Sequence, residues 1–171
     1  MVYIGIDPGV TGAMAGIITP AGAAPTVQVV RDLPVITRTF GKGNELDVIE
    51  LDRMLGWAQI MQGDAFVILE QAAPMNKGAK PGVMSAWRSG ELNGALRALL
   101  RLRGIRHHLV LPATWKRCMG LLGKDKDASR SRAIEMFPAC TEHLARKKDH
   151  NRAEAILLAE YGRRMVLKGE L

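Results

Sequence analysis

The sequence predicts one α/β domain: a mixed five-stranded sheet, three antiparallel strands followed by parallel crossovers, with helices on both faces. Three observations carry that expectation. Two short β-prone runs, residues 2–6 and 65–69, each lead into a carboxylate, Asp7 and Glu70. Strand-length and helix-length apolar patterns alternate through the second half, as crossover connections require, and such connections leave strands parallel. The chain has 171 residues, 47% apolar and 24% charged, which suits one ordinary domain with a full core and spans 1–171 without a linker.

Residues 2–6 read as a buried strand, followed by a second strand over 13–19. Pro20-Ala21-Gly22 is a turn, and β character resumes over 26–33, completing an antiparallel meander. Residues 41–44, Gly-Lys-Gly-Asn, read as a flexible connection. Val48, Leu51, Leu55 and Ala58 recur at helical spacing, so a helix covers about 47–61. The strand 65–70 then repeats the pattern of the first. Residues 71–82, with two prolines, two glycines and two lysines, form a loop, and loops at strand ends often carry function. A long helix covers 84–103 with Leu92, Leu96, Leu99 and Leu100 inward; Gly94 costs it about 1 kcal/mol relative to Ala, which implies close approach to the sheet or to a partner subunit. A strand over 107–111 precedes Pro112, which opens a helix holding Trp115. After the Gly120/Gly123 break a helix covers about 126–137, Pro138 stops it, and the last helix runs over about 149–168 with Ile156, Leu157, Ala159 and Met165 inward.

The formal charge of +7 and pI near 9.8 favour an anionic partner, nucleic acid first. Cys118 and Cys140 have no metal-ligand spacing and read as reduced packing residues. Asp7 interrupts the first apolar run and no basic segment precedes it, so no signal peptide is expected. No apolar run approaches the roughly 20 residues that span a bilayer. A soluble, cytoplasmic protein without membrane contact is expected.

Three acidic positions converge in this topology: Asp7, Glu70, and the Asp149/Glu154 pair opening the last helix. Adjacent parallel strands would bring Asp7 and Glu70 side by side, and the helix start would add further oxygens. Such a cluster repels itself unless cations neutralise it, and hard oxygen ligands suit Mg²⁺ or Mn²⁺. Two such ions could clamp the attacking and leaving oxygens of a phosphodiester. Each acid also has a plainer role: Asp7 can cap a turn, Glu70 can pair with a lysine, Asp149 can be an N-cap, and Glu154 can pair with Arg130 or Arg146. What favours the site is that three separate elements each supply an acid.

Three stretches carry a more specific resemblance: Gly5-Ile6-Asp7-Pro8-Gly9 with Thr11-Gly12, Phe66-Val67-Ile68-Leu69-Glu70, and residues 147–155, Lys-Lys-Asp-His-Asn-Arg-Ala-Glu-Ala. Gly90-Glu91-Leu92-Asn93-Gly94 and Pro112-Ala113-Thr114-Trp115-Lys116 add weaker matches. In order and spacing the chain resembles, over nearly its whole length, the RuvC family of Holliday-junction resolvases within the ribonuclease H-like superfamily, its bacteriophage branch most of all. The resemblance implies that Asp7 and Glu70 are the first two metal ligands. The family shows two acids, or a histidine and an acid, three apart on the final helix; three before Glu154 stands Asn151. Glu154 therefore takes the last ligand position, Asp149 the other carboxylate, and His150, four before Glu154, is the alternative as ligand or proton shuttle.

A four-way junction exposes many phosphates, and Lys77, Lys80, Lys116, Arg117, Lys124, Lys126, Arg130, Lys147 and Lys148 are the expected DNA contacts, with Arg132 and Arg146 in the same runs. Some of them will be solvating charges only. The loop 75–82 could enter the crossover, and Trp87 is either a base stacker or a core or interface residue. The resemblance also implies a homodimer, since symmetric nicking needs two sites; Ala86, Gly90, Gly94 and Ala98 form a small-residue stripe suited to a helix contact or to the chain's own sheet. The expected activity is metal-dependent junction resolution by paired hydrolysis leaving 5′-phosphate ends, with two Mg²⁺ or Mn²⁺ per site. A related nuclease on forks, other branched DNA or RNA, and a junction-binding protein with a decayed site, are the alternatives.

Overall fold

The computed structural model describes residues 1–62, 64–71 and 82–171, the side chains of 57–62 and 126 excepted. Seven strands occur among them: β1 (Val2–Asp7), β2 (Ala13–Ile18), β3 (Thr26–Asp32), β4 (Val35–Thr37), β5 (Asn44–Leu46), β6 (Ala65–Glu70) and β7 (Arg106–Val110). Five helices accompany them: α1 (Val48–Gln62), α2 (Val83–Leu102), α3 (Pro112–Cys118), α4 (Lys126–Met136) and α5 (His150–Leu167), with 3₁₀ turns over Pro138–Leu144 and Lys147–Asp149.

The main sheet has the order β3-β2-β1-β6-β7. β1, β2 and β3 pair antiparallel, and β6 and β7 continue parallel to β1. This is the mixed five-stranded sheet that the alternating pattern predicts. One face carries Val2, Ile4, Ile6, Val67 and Leu69 against Leu51 and Leu55 of α1 and Leu92, Leu96, Leu99 and Leu100 of α2. The opposite face packs Ala15, Ile17 and Ile68 against α5, with Trp115 and Leu144 in the same core. Helices thus cover both faces.

α5 lies unusually close to the sheet, and two glycines make that possible. A Cβ on Gly5 of β1 would stand 2.1 Å from the Ala155 carbonyl oxygen and 2.5 Å from the Ala159 nitrogen. On the helix side, a Cβ on Gly162 would stand 2.2 Å from Ile68 Cγ1. The centre of α5 is accordingly buried on nearly every side from Ala153 to Gly162.

Two expectations need correction. Residues 41–43 connect two unexpected strands, and Asn44 already belongs to the second: β4 and β5 form an antiparallel hairpin with Val35 opposite Leu46 and Thr37 opposite Asn44. Three residues per strand and a turn with Gly41 and Gly43 at positive φ carry too little apolar alternation to announce it. Gly94 does not serve close approach to the sheet, for no described atom lies within 4 Å of a Cβ placed there. Cys140 is buried as expected, whereas Cys118 is exposed, and both are free thiols. Among the described residues no helix is long and apolar enough to cross a membrane.

Candidate active site

Ile6 and Leu69 are partners in the parallel register of β1 and β6, so Asp7 and Glu70, one step on, leave adjacent strands at the same edge of the sheet. Strand alternation fixes their side. Gly5 packs on α5 and Ile68 meets Gly162 of that helix, and Asp7 and Glu70 follow each by two residues. Both acids therefore belong to the α5 face, and both are half-buried. The turn that releases the chain after Asp7 needs its glycine: a Cβ on Gly12 would meet the Asp7 carbonyl oxygen at 2.2 Å.

α3 begins at Pro112, directly beyond the end of β7 at this same edge, and Pro at the helix start is preset for the first turn. It delivers two neighbouring side chains to two acids. The Trp115 indole N–H donates to Glu70 Oε2 at 2.6 Å. Lys116 Nζ lies 3.0 Å from Glu154 Oε1 and 5.2 Å from the centre of the Trp115 ring. Ser129 of α4, itself buried, donates to the same Glu154 oxygen at 3.1 Å. Glu154 is only 7% exposed, one turn into α5. Burial holds the Glu70 carboxyl above its ordinary range; the Trp115 N–H opposes that, and the charge of Glu154 adds to it. Three of the four expected carboxylates, Asp7, Glu70 and Glu154, thus belong to one edge and face of the sheet.

The start of α5 is built differently. Asp149 is 3% exposed and Arg146 engages both of its oxygens, through the backbone N–H at 2.8 Å and the guanidinium at 2.7 Å. That contact holds the Asp149 carboxyl below its ordinary range. Asn151 donates to the Thr11 carbonyl at 2.5 Å, joining α5 to the turn after Asp7. Arg152 grips Asp32 at the end of β3 with two bonds, 2.6 and 2.7 Å, and holds the Asp32 carboxyl low as well. The His150 ring lies 3.3 Å from the Lys147 carbonyl oxygen. Among the described residues no three His, Cys, Asp or Glu side chains stand close enough together to share one metal ion.

The expected DNA contacts separate into groups. Arg117, Lys124, Lys147 and Lys148 are exposed. Arg117, Lys124 and Arg132 line a polar hollow of about 740 Å³ between α3 and α4, together with Asp127 and Glu135. Lys116 stands in the acidic site rather than on that surface. Arg130 is spent inside the fold, donating to the Leu144 carbonyl at 2.8 and 3.0 Å and to Asp127 at 2.6 Å. Lys126 opens α4, but its side chain, together with Lys77, Lys80 and all of 72–81, lies outside the described residues. Sequence reasoning did not find Ser129, Asn151, Arg152 or the bond of Trp115 to Glu70. Only Trp115-Lys116 gave a local signal, an aromatic-basic pair in the first helical turn after a strand.

No protein-family model matches this chain, and no curated protein does. Solved structures do. T. thermophilus RuvC in complex with Holliday junction substrate superposes with a TM-score of 0.64 at 15% identity, 96% of each chain covered. The fowlpox virus Holliday junction resolvase superposes at 0.54 and 11% identity over 100% of both chains. Fowlpox virus resolvase with substrate Holliday junction DNA gives 0.52 at 11% identity, covering 97% of this chain and 99% of the other. Identities this low establish architecture, and the chain accordingly has the ribonuclease H-like fold of RuvC.

Proposed function

We propose that this protein is a metal-dependent endonuclease that resolves four-way DNA junctions, working as a homodimer that nicks two strands symmetrically and leaves 5′-phosphate ends. One observation carries the reading: Asp7 and Glu70 end adjacent parallel strands on the face where α5 brings Glu154. The fold is also that of two resolvases solved with junction DNA, and the net charge of +7 suits a polyanionic substrate.

The donor chemistry fits a divalent ion. Asp7, Glu70 and Glu154 offer hard carboxylate oxygens suited to Mg²⁺ or Mn²⁺, and Glu70 and Glu154 carry mutual repulsion that Lys116 offsets. These three residues, which must draw closer than they stand here to share an ion, would hold two ions, with His150 as the further donor at the start of α5. Asp149, engaged by Arg146, has the structural part at that corner. Bound there, such ions would supply activation of a water and stabilisation of a departing 3′ oxygen. The chain's own residues do the rest. Trp115 orients Glu70, and Lys116 and Ser129 orient Glu154. Arg117, Lys124, Lys147 and Lys148, together with Lys126, Lys77 and Lys80, would take the flanking phosphates.

The test incubates wild type, Asp7→Asn, Glu70→Gln and Glu154→Gln with labelled four-way junction, fork and linear duplex, with and without Mg²⁺. Wild type is expected to cut the junction in paired nicks only with the ion. The variants should bind it and cut at least about a hundredfold more slowly. Cleavage that survives Asp7→Asn would sink the mechanism, and equal cutting of linear duplex would sink the junction assignment.

A further inference from the structure

Phe40 is 87% exposed at the tip of the β4–β5 hairpin, beside Gly41, Lys42 and Gly43. The tip is braced. Arg38 pairs with Glu45 at 3.7 Å and with Glu91 of α2, and its guanidinium stands 5.4 Å from the centre of the Trp87 ring. Arg88 of α2 donates to the Lys42 carbonyl at 2.9 Å. At the root, Leu33 and Leu46 are buried in the core. The fold thus fixes the hairpin from both ends and still leaves its one aromatic ring in solvent.

The hairpin also stands at the working edge of the sheet. β1 and β3 are both antiparallel to β2, so β3 ends at the edge where Asp7 ends. There the Leu33 N–H donates to the Gly12 carbonyl at 2.9 Å. A narrow groove joins Val10, in the turn after Asp7, to Arg38 and Glu45 of the hairpin and to Arg88 of α2. An exposed ring with a lysine beside it, on a hairpin that Arg38 and Arg88 hold in place, has the chemistry that binds an unstacked base next to a phosphate. We propose that Phe40 stacks on a base at the branch point of bound DNA, with Lys42 on a neighbouring phosphate. Bases within a linear duplex are covered on both faces, whereas a branch point exposes a base face, so this contact favours branched over linear DNA. The inference rests on the junction reading above and names the hairpin as the element that recognises the branch.

The test measures binding, without divalent ions, of wild type, Phe40→Ala and Phe40→Trp to a four-way junction carrying 2-aminopurine at the branch point, and to a linear duplex of the same sequence. Phe40→Ala should bind the junction about tenfold more weakly and lose the branch-point fluorescence change. Its duplex affinity and melting temperature should match wild type, and Phe40→Trp should behave as wild type on both DNAs. If wild type prefers the junction and Phe40→Ala binds and perturbs it equally, the inference fails while the junction reading stands. Equal weakening on linear duplex, or a fall to a smaller species in sedimentation, would also overturn it, making the tip a general DNA contact or a subunit contact. A wild type without junction preference overturns the junction reading, and this inference with it.

Discussion

Asp7 and Glu70 stand where the backbone of two neighbouring strands puts them, whereas the start of α5 stands where side chains tie it. At the first corner the parallel register of β1 and β6 carries the placement, and no side-chain contact is needed to bring the strand ends level. At the second, Asn151 is bonded to Thr11, Arg152 to Asp32, and Arg146 to Asp149. The two corners meet because α5 sinks onto the sheet over Gly5 and Gly162. A site built this way has one half fixed by a ladder of backbone bonds and one half adjusted by a few polar contacts.

The largest break in this arrangement comes from filling the space between sheet and helix. In Gly5→Ala the new methyl collides with backbone atoms of Ala155 and Ala159, which no rotamer change can move. Overpacking commonly costs about 1–3 kcal/mol, and a backbone collision belongs at or above the top of that range. The expected outcome is a loss of about 3 kcal/mol or more in urea unfolding, with Glu154 displaced from Glu70 and cutting abolished in whatever protein remains folded. A Gly5→Ala protein of wild-type stability and activity would mean that α5 can lift off the sheet without consequence, and that the two corners are not coupled through it.

The same contrast explains what could be read from the sequence. The meander, the parallel crossovers and the level placement of Asp7 and Glu70 follow from strand alternation and from two apolar runs that each end in an acid; these are local patterns with backbone consequences. α2 was legible for the same reason, since Leu92, Leu96, Leu99 and Leu100 recur at helical spacing and are all buried. The β4–β5 hairpin was not, because its strands are too short for alternation to show. The contacts at the start of α5 were not either: nothing in the local pattern shows that Arg146 engages Asp149, three residues on. Asn151 with Thr11 and Arg152 with Asp32 are separated by 140 and 120 positions, so no spacing rule reaches them.

A smaller effect separates the tie from the ladder. Arg152→Ala removes a two-bond grip on Asp32, whose side chain is largely exposed, so the stability loss should be about 1 kcal/mol. Cutting should fall further than stability does, because the start of α5 loses its hold on the sheet edge. The pH dependence gives a second readout. Asp32 and Asp149 have carboxyls held below their ordinary range by Arg152 and Arg146. Their contribution is therefore full above about pH 4 and is lost as pH falls through the lowered values. Melting temperatures followed from neutral to acid pH should fall less steeply below that point in Arg152→Ala than in wild type. Parallel curves would show that the Asp32 pair does not contribute to holding α5.

Glu70→Gln should have the smallest effect on folding and one of the largest on activity, and that separation is what the ladder implies. Burial raises the Glu70 carboxyl, and Glu154 adds to the shift, so the fold favours the protonated form. For a group raised in this way, its contribution is most favourable below the ordinary carboxylate range. That contribution is lost as pH rises through the raised value, which leaves the ionised group a net cost at neutral pH. Glutamine keeps an oxygen to accept the Trp115 N–H and brings no charge toward Glu154. At pH 7 the variant should therefore match wild type in urea unfolding or exceed it by up to about 1 kcal/mol, while cutting is lost. Asp149→Asn, at the other corner, should instead lose about 1–3 kcal/mol, because an amide nitrogen in place of Oδ2 cannot accept from the Arg146 backbone N–H and guanidinium. If Glu70→Gln proved as destabilising as Asp149→Asn, the carboxylate would itself be holding the strand end, and the difference between the two corners would disappear.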